Sequence, residues 1–299
     1  MNINDVLADL KSARIKKAVL DTDAFNEIDD QFAIVYSYFS EKIDLQAIYA
    51  APFFNDNSTS FEDGMEKSYE EILRVVECCE KDSTIPVLKG SRTTITNSGS
   101  AVESEAADHL IKLAKESDEM IYVMAIGAIT NIASAILKDP SIANKICIIW
   151  LAAKQTHFPD VAEFNLDQDY KAGQIVLNSG APLLLCPAFN VVCALGARIG
   201  LIRELKGHNP AAEYVYNLGE GYFKGAGEPN DWLRILWDIA APAIIDNPAC
   251  AEIEIITAPV FTDNKTYAFD STRHQIMMLN SIDRETTYKR AWEVIKRGK

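Results

Sequence analysis

Short apolar runs alternate along the chain with amphipathic stretches, and this alternation is the main structural signal in the sequence. Continuous apolar runs bounded by polar or glycine residues predict buried strands. By this criterion we predict strands at residues 18–20, 44–51, 85–90, 120–126, 146–151, 182–186, 252–257, 267–269 and 275–279. Several of these runs are apolar at every position, which is typical of strands covered on both faces.

Apolar residues at helical spacing separate the predicted strands. The first such helix contains Phe32, Val35 and Tyr38, and others are predicted at residues 65–80, 102–115, 130–137, 169–178, 192–205, 231–245 and 284–297. The glycine-rich segment 217–230 indicates a mobile loop or a broken helix instead. Strands that alternate with helices predict an α/β fold, an open and mostly parallel sheet flanked by helices. No repeat or linker divides the sequence, so we expect one domain over residues 1–299.

The most acidic short stretch, residues 17–33, follows the first predicted strand. Four aspartates, Asp21, Asp23, Asp29 and Asp30, lie within ten positions there. Carboxylates this close repel one another, and a divalent cation that prefers oxygen ligands would stabilise them. The alternative is an acidic turn in which Asp29 caps the following helix. A cap accounts for one aspartate of the four, so the pattern favours a metal site.

Composition and charge exclude some classes of partner. The chain has 299 residues, 48% hydrophobic and 24% charged, with a net charge of −14 and an isoelectric point near 4.8. This charge argues against binding nucleic acid or an anionic membrane surface. The six cysteines form no C-x-x-C motif, which is typical of reduced cysteines in a cytosolic protein. With no signal-peptide pattern and no long apolar run, we expect a cytoplasmic protein.

Polar clusters are predicted at the ends of strands or the starts of helices in four separate parts of the chain. They comprise residues 21–30, 55–63, 163–165 and 237–238. In a parallel sheet the strands share one direction, so side chains that follow them gather along one edge. Carboxylates and amides together can hold a divalent ion and can also hydrogen-bond the hydroxyl groups of a sugar.

The order of these motifs resembles the nucleoside hydrolases of the inosine–uridine type. The motifs are D-T-D, D-D, G-x-x-T-N, A-E-F-N and a D-x-A-A, and together they extend from about Ala18 to Ile245. The family's first motif reads D-T-D-P-G-x-D-D, whereas residues 21–30 read D-T-D-A-F-N-E-I-D-D. The intervening loop is therefore two residues longer and lacks Pro-Gly, as expected of a divergent branch.

The resemblance implies a Rossmann-like core and a calcium-dependent hydrolase that splits the N-glycosidic bond of ribonucleosides into free base and ribose. In this chain Asp23 would be both a Ca²⁺ ligand and the general base for the attacking water. Asp30, Asp238 and the backbone carbonyl of Thr130 would be the other protein ligands of the ion. Asp21 would support its neighbours from behind the site. Relatives are usually homodimers or homotetramers, which implies the same for this chain.

The substrate contacts follow from the same resemblance. Asp29, Glu163 and Asn165 would hold the ribose, together with Asp238, and Asn55 is the best candidate from the loop after the second strand, with Asn57 as the alternative. His157 stands where relatives often carry Asn, so it is either a substrate contact or a solvated loop residue. Trp237 replaces a possible proton donor, and its ring either packs in the core or stacks on a purine. Purine preference and a role in purine salvage follow from the second choice.

Other interpretations stay open on sequence alone. A non-catalytic or altered-substrate relative that binds a ribosyl compound is consistent with the longer loop and with His157. A phosphohydrolase of the haloacid dehalogenase type also begins with a strand and D-x-D, but Phe25 occupies a position where that motif has Thr or Val. Asn26 either contacts ribose or braces the loop, and Arg234 and Trp232 either face a ligand or pack against a neighbour.

Overall fold

The computed structural model describes residues 2–225 and 233–299. The strands, in chain order, are β1 Lys16–Thr22, β2 Ile43–Ala50, β3 Val87–Lys89, β4 Ile121–Ala125, β5 Ile146–Leu151, β6 Leu183–Cys186, β7 Gly196–Arg198, β8 Leu233–Ile235, β9 Ala251–Thr257, β10 Val260–Phe261, β11 Tyr267–Ala268 and β12 Gln275–Ile282. The helices are α1 Ile3–Lys11, α2 Asp30–Phe39, α3 Phe61–Cys79, α4 Ile95–Ser98, α5 Glu105–Glu116, α6 Thr130–Lys138, α7 Phe164–Gln168, α8 Tyr170–Asn178, α9 Ile199–Arg203, α10 Pro210–Gly225, α11 Ala240–Asp246 and α12 Arg284–Arg297.

Eight strands form the central sheet in the order β3-β2-β1-β4-β5-β6-β12-β9. Every neighbouring pair is parallel except β12 and β9, which run antiparallel. The remaining strands form two small antiparallel pairs, β7 with β8 and β10 with β11. The α/β fold with a mostly parallel sheet, predicted from the alternation of strands and helices, is confirmed.

Apolar layers cover both faces of the sheet, which explains why its inner strands are apolar at successive positions. In β1, Leu20 packs into the layer on one face and Val19 into the layer on the other. Ile149 and Ile148 of β5 divide between the two layers in the same way. Since successive side chains of a strand point to opposite faces, burial on both faces removes any polar alternation from the sequence.

The helix predicted at residues 231–245 is wrong for most of its length. Residues 233–235 form β8, whose backbone pairs with β7, and a 3₁₀ turn at Trp237–Ile239 precedes α11. The pairing also explains the second error, at residues 192–205, where β7 interrupts the predicted helix between a 3₁₀ turn and α9. Trp237 and Asp238 therefore lie before a helix and not within it.

Smaller differences concern helix ends. Helix α3 begins at Phe61, inside the predicted loop 53–64, because the Ser60 side chain accepts a hydrogen bond from the Asp63 backbone and caps it. The glycine-rich segment is helical in α10 up to Gly225. The rest of that segment, the predicted start of the 231–245 helix and Trp232 lie outside the described residues.

Within the described ranges no helix has the length and apolar character needed to cross a membrane.

A buried ion pair fixes helix α2, which begins at the acidic stretch. The Asp246 carboxylate at the end of α11 is fully buried and accepts hydrogen bonds from Arg290 of α12 at 2.6 and 3.1 Å. It also accepts one from the Tyr36 hydroxyl of α2 at 3.0 Å. Three helices therefore meet on one carboxylate, and their contact sets the position of α2 on the sheet.

We expect Asp246→Ala to lower the free energy of unfolding by about 3 kcal/mol, because it leaves a partly buried guanidinium and a buried hydroxyl without their acceptor. Equilibrium unfolding in urea measures this loss. Glu293→Ala is the matched control, since Glu293 also contacts Arg290 but is 62% exposed. Its expected effect is below about 0.5 kcal/mol. Equal losses in the two variants would contradict a structural role for the buried pair.

Candidate active site

The acidic stretch forms a turn between β1 and α2 at the carboxyl edge of the sheet. The Asn26 backbone N–H donates to the Asp23 carbonyl at 2.7 Å and closes the first part of the turn. Asp29 precedes α2, but its side chain makes no capping hydrogen bond to that helix. Its Oδ2 accepts instead from the Trp237 backbone N–H at 2.8 Å. The capping interpretation of Asp29 is therefore wrong.

Four buried aspartates come together at this edge. Carboxylate oxygens of Asp29, Asp30 and Asp238 lie within 4.8 Å of one another. Asp23 is 1% exposed, and its Oδ2 has no hydrogen-bond partner among the described residues. Burial and the neighbouring Asp30 carboxylate raise the pKa of Asp23 well above its usual range. Of the residues that the sequence analysis assigned to a metal ion, Asp30 and Asp238 therefore lie together with Asp29, and Asp23 lies close enough for its charge to raise the pKa of Asp238.

The pKa values in the cluster show how strongly its members repel each other. Burial, and then the Asp29 carboxylate, raise the pKa of Asp30 to about 8. Burial and the carboxylates of Asp29 and Asp30 raise the pKa of Asp238. For Asp29 burial raises the pKa to about 6, against the opposing effect of Arg234. A cation placed among these groups would relieve both causes of the shifts.

The end of β4 passes directly beside Asp23. A Cβ atom at Gly127 would lie 2.8 Å from Asp23 Oδ1, so only glycine allows the backbone this close to the carboxylate. Ile126, the residue before it, lines the adjoining cavity, and its carbonyl accepts a hydrogen bond from Asn165 Nδ2 at 3.1 Å. The sequence analysis did not assign Ile126 to the site, although Ile126 is the last residue of the strand predicted at residues 120–126. In the structure β4 ends one residue earlier, at Ala125.

The structure does not bring Thr130 to the described part of the cavity. Thr130 is the first residue of α6, and its hydroxyl donates to Asp169 Oδ2 at 2.7 Å. A carbonyl in the first turn of a helix points along the helix axis toward the following turn. Of the two residues, Ile126 is therefore the one whose backbone oxygen lies at the site.

A cavity of about 230 Å³ opens over the cluster. Asp29 and Asp238 line it, and Asp23 and Asp30 lie beneath them. The other polar residues of its wall are Asn26, Glu27, Asn55, Glu163 and Asn165. Its apolar wall consists of Ile126, Leu151, Phe164, Ala188, Phe189 and Trp237. The wall of the cavity thus combines acidic and aromatic side chains.

Glu163 and Asn165 are held in fixed orientations by backbone groups. The Glu163 carboxylate accepts from the backbone N–H groups of Asn165, Leu166 and Ala153 at 3.1, 3.2 and 3.1 Å, and so caps α7. Burial raises its pKa to about 7. Asn165 Nδ2 donates to the carbonyls of Ile126 and Leu151, at 3.1 and 3.0 Å. Both its N–H groups are thereby used, and Oδ1 is left to accept from a ligand.

The loop after β2 contributes Asn55 rather than Asn57. Asn55 lines the cavity, and its Nδ2 donates to Asn26 Oδ1 at 2.5 Å. Asn57 is exposed and donates to the Asn26 carbonyl at 2.9 Å, which braces the acidic turn from outside. Asn26 itself lines the cavity. Its side chain therefore braces the loop, while a contact of Asn26 with ribose stays a prediction.

Two of the aromatic residues in the cavity wall, Phe164 and Phe189, were not assigned from sequence. The rings of Phe189 and Trp237 meet edge to face with centroids 6.1 Å apart, and Phe164 lines the same wall. Phe164 lies between two assigned residues in the A-E-F-N motif, which was the available signal. His157 is exposed and is not among the residues that line the described cavity. Its Nε2 lies 3.5 Å from Nδ2 of Asn190, the residue after Phe189 of the cavity wall.

Comparison with curated proteins identifies relatives at low identity. The chain is 26% identical over 261 residues to the non-specific ribonucleoside hydrolase RihC of Salmonella paratyphi B, which covers 78% of this chain and 81% of RihC. It is 24% identical over 192 residues to the pyrimidine-specific ribonucleoside hydrolase RihA of Enterobacter sp. strain 638. That match covers 56% of this chain and 58% of RihA.

Solved structures share the fold. A plant nucleoside hydrolase superposes with a TM-score of 0.74 at 19% identity, covering 94% of this chain and 99% of that one. A purine-preferring ribonucleoside hydrolase from Gardnerella vaginalis gives a TM-score of 0.71 at 19% identity, with the same coverage of each chain.

The sequence model of one family spans nearly the whole chain. Its description is "Inosine-uridine preferring nucleoside hydrolase", and it matches residues 18–289. The match includes all four polar clusters and therefore replaces the phosphohydrolase interpretation of the D-x-D motif. The chain belongs to the inosine-uridine preferring nucleoside hydrolase family and is an enzyme of the ribonucleoside hydrolase class.

Proposed function

We propose that this enzyme hydrolyses the N-glycosidic bond of purine ribonucleosides in preference to pyrimidine ribonucleosides, in a calcium-dependent reaction that releases free base and ribose. One observation carries the proposal. Four buried carboxylates lie at or beside one cavity, and three aromatic side chains line the same cavity. The carboxylates suit a cation and a sugar that becomes positively charged, and the aromatic side chains suit a flat base.

The donor set fits a hard divalent cation. Asp23, Asp30 and Asp238 would hold the ion, with the Ile126 carbonyl as the backbone ligand. All of these donors are oxygens, which calcium prefers, and Asp23 Oδ2 is buried without a partner in the described part of the chain. When bound, the ion supplies a Lewis acid that makes water more acidic and orients sugar hydroxyls.

Asp23 is the residue best placed to act as general base. It is buried beside Gly127, and its Oδ2 has no hydrogen-bond partner in the described part of the chain, so this oxygen is available to accept a proton from water. As the bond from the water oxygen to C1′ forms and the bond from C1′ to the base nitrogen breaks, Asp23 takes a proton from the water. The base nitrogen leaves with the bonding electron pair and gains its proton from solvent. The nearby Asp29 and Glu163 carboxylates stabilise the positive charge that the ribosyl group develops.

Ribose hydroxyls are matched by acceptors whose orientation the protein fixes. Asp29 has one oxygen on the Trp237 backbone N–H, and Asn165 presents Oδ1 because its Nδ2 is already bonded. Glu163 is held by three backbone N–H groups. Such fixed acceptors hold the sugar with its C1′ near Asp23, which lowers the entropy cost of reaching the transition state.

The base would lie against Trp237, Phe164 and Phe189. Stacking depends on the area of the ring faces in contact, and a purine offers a larger face than a pyrimidine. This is the basis for the proposed purine preference. His157, which is exposed and outside the described wall, is not included among the substrate contacts that we propose.

A second candidate is a relative with an altered ribosyl substrate. The longer loop brings Asn26 and Glu27 to the cavity wall, which supports this alternative. Ribose release from inosine, guanosine, adenosine and uridine separates the two candidates. The proposed function requires release from a common purine nucleoside, and release from none of the four would favour the altered substrate.

Removal of divalent ions with a chelator is expected to lower the rate of ribose release by at least about 100-fold, because Lewis-acid stabilisation contributes several kcal/mol. Adding Ca²⁺ back should restore the rate, and calorimetry should show one site per chain. The Asp30→Asn variant should bind Ca²⁺ more weakly. Full activity in the chelated protein would contradict a metal-dependent reaction.

Asp23→Asn keeps the side-chain shape but removes the base, so we expect kcat to fall by about 10²–10⁴-fold. The variant should fold as well as the wild type, since it removes one of several repelling buried carboxylates. Asp44→Asn serves as the control, because Asp44 is exposed in β2. Wild-type kcat in Asp23→Asn would show that another group takes the proton.

Trp237→Leu removes the largest stacking surface of the cavity. We expect KM for inosine and guanosine to rise by about 10-fold and KM for uridine by less than about 3-fold, because base stacking contributes 1–3 kcal/mol. Steady-state kinetics with the three nucleosides measures both. Phe269→Leu, at an exposed aromatic residue, is the control. An equal rise for all three would contradict a purine-specific contact.

A further inference from the structure

Arg234 of β8 lies against the acidic turn. Its guanidinium forms an ion pair with Glu27, and one nitrogen lies 3.7 Å from Asp29 Oδ1. Among the residues that the structure describes, Arg234 is the one basic side chain within 4 Å of a carboxylate of the turn. Within the same residues, no basic side chain comes that close to Asp238. The side chain is 15% exposed, so its charge is poorly screened by solvent.

Three distant segments fix the guanidinium. Its central carbon lies 5.1 Å from the centroid of the Tyr222 ring of α10, in a cation–π contact. The β7–β8 ladder sets the backbone of Arg234 opposite Ala197. Glu27 comes from the acidic loop that the sequence shows to be two residues longer than the family motif. The loop thus supplies an acceptor for a side chain that lies 207 positions away.

Asp29 is held at both of its oxygens by one short segment. Oδ2 accepts from the Trp237 backbone N–H at 2.8 Å, and Oδ1 faces the charge of Arg234. Because residues 234 and 237 belong to the same segment, rotation of the Asp29 carboxylate would lose both interactions at once. An acceptor held in this way is pre-organised for a sugar hydroxyl.

Glu27 sets how close the guanidinium comes to Asp29. The ion pair with Glu27 is direct, whereas the distance to Asp29 Oδ1 is longer than a hydrogen bond. Without Glu27, Arg234 would be free to bind Asp29 directly and would then occupy the lone pairs that a sugar hydroxyl needs. Glu27 therefore keeps Oδ1 accessible while Arg234 keeps it oriented.

We propose that Arg234 is a positioning residue that orients Asp29 for the substrate and that Glu27, through Arg234, keeps Asp29 open to it. The proposal rests on the proposed function, because it takes Asp29 as a sugar contact. It adds two residues that do not themselves need to touch the substrate. We expect lysine not to replace Arg234, since an ammonium group lacks the planar fork of the guanidinium, whose face lies on Tyr222 while its nitrogens face Glu27 and Asp29.

The kinetic test compares Arg234→Met, Arg234→Lys, Glu27→Gln and the double variant Glu27→Gln/Arg234→Met. We expect KM for a purine nucleoside to rise by about 10-fold or more in each single variant, with a smaller change in kcat. The double variant should be no worse than Arg234→Met, because Glu27 acts through Arg234. Additive effects of the two substitutions would overturn the proposal.

Two controls separate positioning from general stability. Arg203→Met removes another Arg–Glu pair, between α9 and α10, and should leave KM within 2-fold of wild type. Calorimetry with Ca²⁺ alone should give an affinity for Arg234→Met that is no weaker than that of the wild-type protein, because the variant removes a positive charge near the carboxylates. A large loss of Ca²⁺ affinity or of folded protein in Arg234→Met, with no rise in KM, would assign Arg234 a purely structural role.

Crystal structures keep this test independent of turnover. In Arg234→Met the Asp29 carboxylate should rotate away from the Trp237 N–H, and in Glu27→Gln the guanidinium should close on Asp29. Wild-type protein that releases no ribose from any nucleoside would reject the proposed function but leave this structural prediction standing. An unmoved Asp29 in Arg234→Met would overturn the positioning role whether or not the wild type is active.

Discussion

The repulsion among buried carboxylates at the end of β1 is the constraint on which the site depends. Four aspartates, each at most 5% exposed, lie close enough that burial and mutual charge raise their pKa values. Hydrogen bonds from Thr22 to Asp30 and from the Trp237 backbone to Asp29 offset part of this cost. A cation bound among these carboxylates would offset the remainder, so in the metal-dependent reaction that we propose the energetic penalty of the cluster would become affinity for the ion.

The direction of the strands could be predicted from sequence, and it explains why the site assembles. Strands β1, β4 and β5 are parallel neighbours, and Asp23, Ile126 and Glu163 all follow their carboxyl ends. Parallel strands with helical crossovers must return to the same edge before each new strand, so residues far apart in sequence converge there. For this reason apolar runs and the motifs behind them were enough to identify the fold and six of the thirteen residues that line the described cavity.

What the sequence could not show are contacts made across long separations. Residues 233–245 have apolar spacing that suits a helix, yet β8 forms because Arg234 pairs with Ala197 in another segment. The choice between Ile126 and Thr130 depends on where β4 ends and α6 begins, and both residues belong to one short apolar motif. Asn55 faces the cavity and Asn57 does not. The hydrogen bonds that the two side chains donate to Asn26 fix this difference.

The longer acidic loop illustrates how a local change requires a distant one. Additional loop residues increase the conformational entropy that must be lost when the loop is ordered. Two sets of interactions oppose that cost. One is the pair of hydrogen bonds that Asn55 and Asn57 donate to Asn26, and the other is the ion pair of Glu27 with Arg234. Both sets also act on the cavity, since Asn26 and Glu27 line it and Arg234 faces Asp29. The interactions that order the loop are therefore the same ones that shape the cavity wall around Asn26, Glu27 and Asp29.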